Sequence, residues 1–127
     1  MPARNPEDID RLFADALHAG DLNALVALYE PEASLTPSPG KTVVGTAAIR
    51  AALEMFVAMK PRMTIAPRVV SRTGDLALVT AAWQLVMTGP DGKPAQMTGQ
   101  SIEVARKQGD GNWLFAIDEP FGIPAGI

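Results

Sequence analysis

The residues with the most chemical potential are two carboxylates near the end of the chain, Glu103 and Asp118. Between them Asp110-Gly111 marks a hairpin, because both residues tolerate the positive φ of a tight turn. A two-residue loop there sets Gly109 opposite Asn112 and, counting outward, Glu103 opposite Asp118. Carboxylates facing each other across a sheet repel. If their face is buried, at least one pKa must rise, leaving an acid poised near neutral pH. The alternatives are a cation or ligand donor between them, or an ordinary solvated strand. A one-residue bulge would put them on opposite faces.

Asp91-Gly92 is a second hairpin signal. With Pro90 opposite Lys93, Thr80 falls across from Glu103 and Ala82 across from Ser101. Period-two alternation then separates two faces. One carries Thr80, Gln84, Ser101, Glu103 and Asp118, the mixed polar surface that a pocket requires. The other carries Trp83, Leu85, Ile102, Val104, Trp113 and Phe115, as a core or a dimer interface requires. Glu103 and Asp118 are therefore the candidate catalytic pair, and Thr80, Gln84 and Ser101 the groups that would orient a ligand.

Other chemistries find little support. The chain has no cysteine, which removes thiolate chemistry and disulfides, and a single histidine, His18, which removes a histidine-rich metal site within one chain. Neither a G-x-S-x-G elbow, a phosphate loop, a dinucleotide fingerprint nor a CxxC pair occurs. The net charge is -3 and the basic residues are scattered, which argues against a nucleic-acid partner. The longest apolar stretch, Leu76 to Met87, is too short for a membrane span and is broken by Thr80 and Gln84. Met1 to Asp10 is polar and acidic, unlike a secretory leader. A soluble, cytoplasmic protein is expected.

The elements that must position these residues fall into two halves. Ile9, Leu12, Phe13, Ala16 and Leu17 recur at helical spacing, with Asn5 as cap, Pro6 in the first turn and Gly20 as stop. Asp21 caps a short second helix with Leu22, Leu25, Val26 and Tyr29 on its buried side, ended by Pro31. Glu32 to Thr36 reads as a short strand and Pro37, Pro39 and Gly40 as a loop. Thr46 caps a third helix, with Ile49, Leu53, Phe56 and Val57 inward and Pro61 as its end. Strands follow at 63–72, where Pro67 signals an edge or bulge, then at 76–88, 95–107 and 113–119. The 127 residues suit a single domain spanning the whole chain, and three helices followed by an antiparallel meander indicate an α+β fold.

Several segments resemble the ketosteroid-isomerase-like branch of the nuclear-transport-factor-2-like superfamily. They are Ala19-Gly20-Asp21-Leu22, Leu25-Val26-Ala27-Leu28-Tyr29 leading to Glu32-Ala33, and Gly45-Thr46-Ala47-Ala48-Ile49-Arg50. Asp110-Gly111-Asn112-Trp113, followed by Ile117-Asp118-Glu119-Pro120-Phe121-Gly122, resembles the SnoaL-like group. The resemblance implies a cone: a curved antiparallel sheet wrapped on the three N-terminal helices, with a hollow end. Members of this superfamily include isomerases, polyketide cyclases, dehydratases, epoxide hydrolases and domains that only bind or oligomerise.

Carried over residue by residue, the resemblance places Phe13 where ketosteroid isomerases have an oxyanion-donating Tyr. It places Pro37 where they have the Asp base, and Glu103 where they have a protonated Asp. In those isomerases that Asp is a carboxylic acid kept neutral by its apolar surround. One of three roles survives, so steroid isomerisation by the usual route is not expected. The resemblance also implies a homodimer through the convex sheet face, with Trp83, Ile102, Trp113 and Phe115 in the contact. The resulting expectation is a pocket for a small apolar molecule with one polar group, needing no cofactor. An acid-catalysed isomerase, cyclase or lyase would use Glu103 as proton donor and Asp118 to tune it. Phe13, Leu17, Tyr29, Phe56 and Met59 would join the lining. The rival is a non-catalytic dimeric binding or interaction module whose hollow is plugged by Phe13, Leu17, Phe56 and Met59. Epoxide hydrolysis would need an Asp-Arg-Asp set, and no Arg and second Asp can be placed beside Asp118.

Overall fold

A computed structural model describes residues 3–123. Helix α1 (Asp8–Ala19) buries Ile9 and Leu17 and stops at Gly20, whose φ of 67° is the left-handed conformation that a helix end favours. Its start is later than expected: Glu7, not Asn5, is the N-cap and makes no side-chain cap hydrogen bond, while the Asp8 carboxylate accepts the Asn5 backbone N–H at 3.0 Å. Asp21 caps α2 (Leu22–Val26) by accepting the Ala24 N–H at 3.0 Å. α3 (Thr46–Ala58) buries Ile49 and Leu53 completely or nearly so.

Six strands follow the order β2-β1-β6-β5-β4-β3. They are β1 (Tyr29–Ser38), β2 (Lys41–Val44), β3 (Arg62–Thr73), β4 (Leu76–Thr88), β5 (Pro94–Lys107) and β6 (Trp113–Glu119). The fold is α+β, as expected, but the sheet is mixed, because β1 runs parallel to β6. α2 ends at Val26, so Tyr29 opens a strand instead of extending the helix, and Pro31 lies within that strand. The Pro39-Gly40 step is a tight turn into β2, a strand not expected from the sequence. Pro67 sits on β3, an edge strand with a bulge between Val69 and Ser71.

Both expected hairpins form, with loops one residue longer than expected. Gly89 N–H donates to Lys93 O at 2.9 Å, and Gln108 N–H to Asn112 O at 2.8 Å. Each three-residue loop ends on a glycine at positive φ, Gly92 at 77° and Gly111 at 86°. The extra residue shifts β4 by one against β5, so that Val79, not Thr80, lies opposite Glu103. Between β5 and β6 the same shift is undone by a bulge between Val104 and Ala105, where Ala116 of β6 is left unpaired, and this returns Glu103 to Asp118. The bulge also reverses the parity of β6, so Trp113 and Phe115 share the face of Asp118.

Trp83, Trp113 and Phe115 therefore turn inward, correcting their assignment to the convex side, while Ile102 stays outside as expected. The core lies between the helices and this concave face, with Ile9, Leu25, Ile49, Val79, Trp113 and Phe115 at its centre. Among the described residues no helix is long and apolar enough to cross a membrane.

Candidate functional site

Glu103 on β5 and Asp118 on β6 are directly paired and face the interior, with 1% and 7% of their surface exposed. Above them opens a cavity of about 600 Å³. Asp118 Oδ2 accepts a hydrogen bond at 2.5 Å from the hydroxyl of Tyr29, which is buried at the start of β1. A third carboxyl group arrives from the opposite layer. Asp10, on the first turn of α1, is 4% exposed and lies within hydrogen-bonding reach of Glu103.

Burial raises the pKa of all three carboxyl groups, because an apolar surround disfavours the charged form. For Glu103 the Asp10 carboxyl adds to this, and Asp118 adds further repulsion, so the side chain is protonated at neutral pH. Asp118 is pushed up to about 7, burial outweighing the stabilising Tyr29 hydrogen bond. Burial and then the Asp118 charge hold the Tyr29 hydroxyl well above its ordinary range, so it remains a donor. Asp10 Oδ2 and Glu103 Oε1 have no hydrogen-bond partner in the protein. Two carboxyl groups in this position share a proton, and the proton on one supplies the donor that the other lacks.

The walls are apolar. Phe13 from α1, Phe56 from α3, and Met59, Met63, Met87 and Met97 line them. Methionine's flexible thioether adapts to irregular guests. Trp83 forms one side, its indole N–H donating to Pro120 O at 2.8 Å and its ring meeting Phe121 edge-on at 6.2 Å. The indole lies over Gly99, where a Cβ would collide with Trp83 Cζ2, so only glycine leaves room for it.

Of the ligand-lining residues expected from sequence, Phe13, Phe56, Met59 and Ser101 line the cavity. Leu17 is packed in the core below it, and Tyr29 stands behind Asp118. Thr80 and Gln84 are on the other face of β4, as the one-residue shift requires. Thr80 Oγ1 donates to Ser101 O at 2.7 Å, and Gln84 is exposed. Phe13 and Pro37 both line the cavity, and neither brings a hydroxyl or an ionisable group.

Sequence reasoning does not find Asp10. A signal is nevertheless present: Asp10 sits three residues before Phe13 and seven before Leu17, so an acid interrupts the apolar stripe of α1. His18, by contrast, is exposed, and its Nε2 accepts the Met63 N–H at 2.9 Å. Among the described residues no set of three His, Cys, Asp or Glu side chains could hold a metal ion.

The likeness of this fold to solved structures is extensive. A ketosteroid isomerase-like protein from Erwinia carotovora atroseptica aligns with a TM-score of 0.75 at 23% identity, over 89% of either chain. A candidate scytalone dehydratase from Novosphingobium aromaticivorans aligns at 0.80 and 14% identity, over 95% of this chain and 92% of that one. A candidate dehydratase of the NTF2-like family from Streptomyces avermitilis aligns at 0.78 and 19%, over 92% and 93%. No curated protein matches the sequence. Identities this low speak for the fold alone. The sequence model of the SnoaL-like domain, however, matches residues 9–113, which hold Asp10, Glu103 and most of the cavity wall, and the chain belongs to that family.

Proposed function

We propose that this chain binds a small, mostly apolar molecule carrying a carbonyl or hydroxyl, and acts on it as an acid-catalysed isomerase, cyclase or lyase. One observation carries the reading: three buried carboxyl groups on three different elements line one apolar cavity. Burying such groups is unfavourable, and nothing in the packing requires it. Glu103, protonated at neutral pH, donates to the polar group of the guest. Asp118, near its midpoint at neutral pH, takes up or returns a proton at a neighbouring atom. Asp10 receives the hydrogen bond of Glu103 while the cavity is empty. The dehydratase and isomerase-like names among proteins of the same fold are compatible with this proton chemistry.

The departures at Phe13 and Pro37 weigh against ordinary ketosteroid isomerisation. A cavity of about 600 Å³ supports this reading over an interaction module whose hollow is plugged by side chains. The homodimer remains part of the proposal with its surface redrawn. A second copy would cover Ile102, Val104, Leu78 and Ile117, which lie together on the outer face.

A thermal-shift series against apolar carbonyls and alcohols tests the reading. A guest that binds the folded state raises the melting temperature through mass action. A saturable rise that Glu103→Gln reduces is expected. A series without any rise would contradict the pocket.

A further inference from the structure

We infer that the inner end of this cavity is a receptor for a positively charged centre, so that its preferred guest is an apolar organic cation such as a protonated amine. The inference rests on the proposed ligand cavity and specifies the class of guest.

Donors and acceptors do not balance at the acid cluster. Few protein donors reach it. The Tyr29 hydroxyl donates to Asp118, the Ser101 hydroxyl is shared between Ala81 O, at 3.4 Å, and Glu103, and the Trp83 indole is taken up by Pro120 O. Against them stand three carboxyl groups, two of which present buried oxygens with no protein donor, Asp10 Oδ2 and Glu103 Oε1. A proton shared between these two pairs them with each other while the cavity is empty, and a guest that enters between them must supply the donors in its place. Among the described residues no cationic side chain forms an ion pair with the cluster, although Lys41 lines the same cavity. Lys41 is exposed in the β1–β2 turn region, and Arg11, next to Asp10 in sequence, points to solvent, where it pairs with Asp8 at 3.1 Å. Buried acceptors in excess of donors, with Arg11 acting on Asp10 only from the surface, call for a guest that supplies both donors and positive charge. A protonated amine brings up to three N–H donors and a positive charge, where an alcohol brings one donor and an aldehyde none. Among the described residues these carboxyl groups do not form a metal-binding set, and the apolar walls suit an organic cation.

The consequence for chemistry is a reversal of sign. An enolate intermediate would place negative charge among carboxyl groups, whereas a substrate protonated by Glu103 becomes cationic where Asp10 and Asp118 can stabilise it. A bound amine imitates that state and should bind more tightly than neutral compounds of the same shape.

The test compares naphthylmethylamine, naphthylmethanol and naphthaldehyde, the same positional isomer throughout, by calorimetry on the full chain. At about pH 8 the amine should bind at least about tenfold more tightly than the alcohol. Its affinity should rise between pH 6 and 8 as Asp118 loses its proton, with Asp10, Glu103, Tyr29 and Glu119 as the titratable neighbours. Asp10→Asn and Glu103→Gln should each reduce the amine preference. Alcohol and aldehyde binding as tight as the amine's would overturn the inference and leave the pocket standing. An amine preference untouched by both substitutions would also overturn it, by putting the cation elsewhere. If none of the three binds, both the inference and the pocket fall.

Discussion

The two faces of the β4–β6 meander reverse the usual arrangement of a sheet. The concave face, sealed by helices, carries the ionisable groups Glu103 and Asp118. The convex face, open to solvent, carries a cross-strand row of aliphatic side chains, Leu78, Val104 and Ile117. Ionisable groups inside and hydrocarbon outside both act against stability, so neither is explained by folding. The difference teaches where to look for activity: at the carboxyl groups for a guest, and at the aliphatic row for another protein surface.

Neighbouring residues of β6 give the largest contrast. Phe115 is 2% exposed and packs against Tyr29 at 5.1 Å, so Phe115→Ala should cost roughly 3–5 kcal/mol in chemical denaturation. Two residues on, Ile117 is 48% exposed, across the bulge and on the other face.

Glu103→Gln should have an effect of intermediate size and opposite sign. The folded pKa values of Glu103 and Asp118 are raised above their ordinary values. The folded form therefore holds protons that the unfolded chain releases, and its stability is greatest below the ordinary carboxylate range. It should fall as pH rises, the Asp118 part being lost from about pH 4 to about 7 and the Glu103 part continuing above. Glu103→Gln, which cannot ionise, should flatten the upper part of that decline and raise the melting temperature more at pH 8 than at pH 5. A parallel pH dependence in the variant would contradict the placement of a protonated Glu103.

Ile117→Ser should have the smallest effect on the monomer, within about 0.5 kcal/mol. If a second copy covers this face, the same change should weaken association in sedimentation. An unchanged mass would place the dimer contact elsewhere or remove it.

How far this contrast is legible in the sequence depends on single residues. The last strand has its expected limits, and Glu103 stands opposite Asp118 as expected, because apolar alternation and Asp-Gly turns are strong local signals. That pairing nevertheless arises through two deviations that cancel, a longer loop and a bulge. Where only the loop deviates, at Asp91-Gly92, the face of β4 is the reverse of the expected one, and Trp83 and Leu85 take the place of Thr80 and Gln84 in the cavity. Loop length differing by one residue has little local signature when both lengths favour Asp-Gly, yet it inverts every side chain that follows. The pairing of β1 with β6 is illegible for a different reason. It joins residues 29–35 to 115–118, and no local pattern records a contact of that range. Asp10 is legible as a break in an apolar stripe, but it stands among other acidic residues near the N-terminus that are solvated.

The central claim is that one apolar cavity keeps a proton among Asp10, Glu103 and Asp118 at neutral pH. It is tested most directly by a carbon-13 NMR titration of the side-chain carboxyl groups, assigned with Asp10→Asn, Glu103→Gln and Asp118→Asn. The account predicts a Glu103 resonance still in its protonated position at pH 7 and an Asp118 resonance with its midpoint at about 7. Ionisation of both groups in the ordinary carboxylate range, at about pH 4, would contradict it.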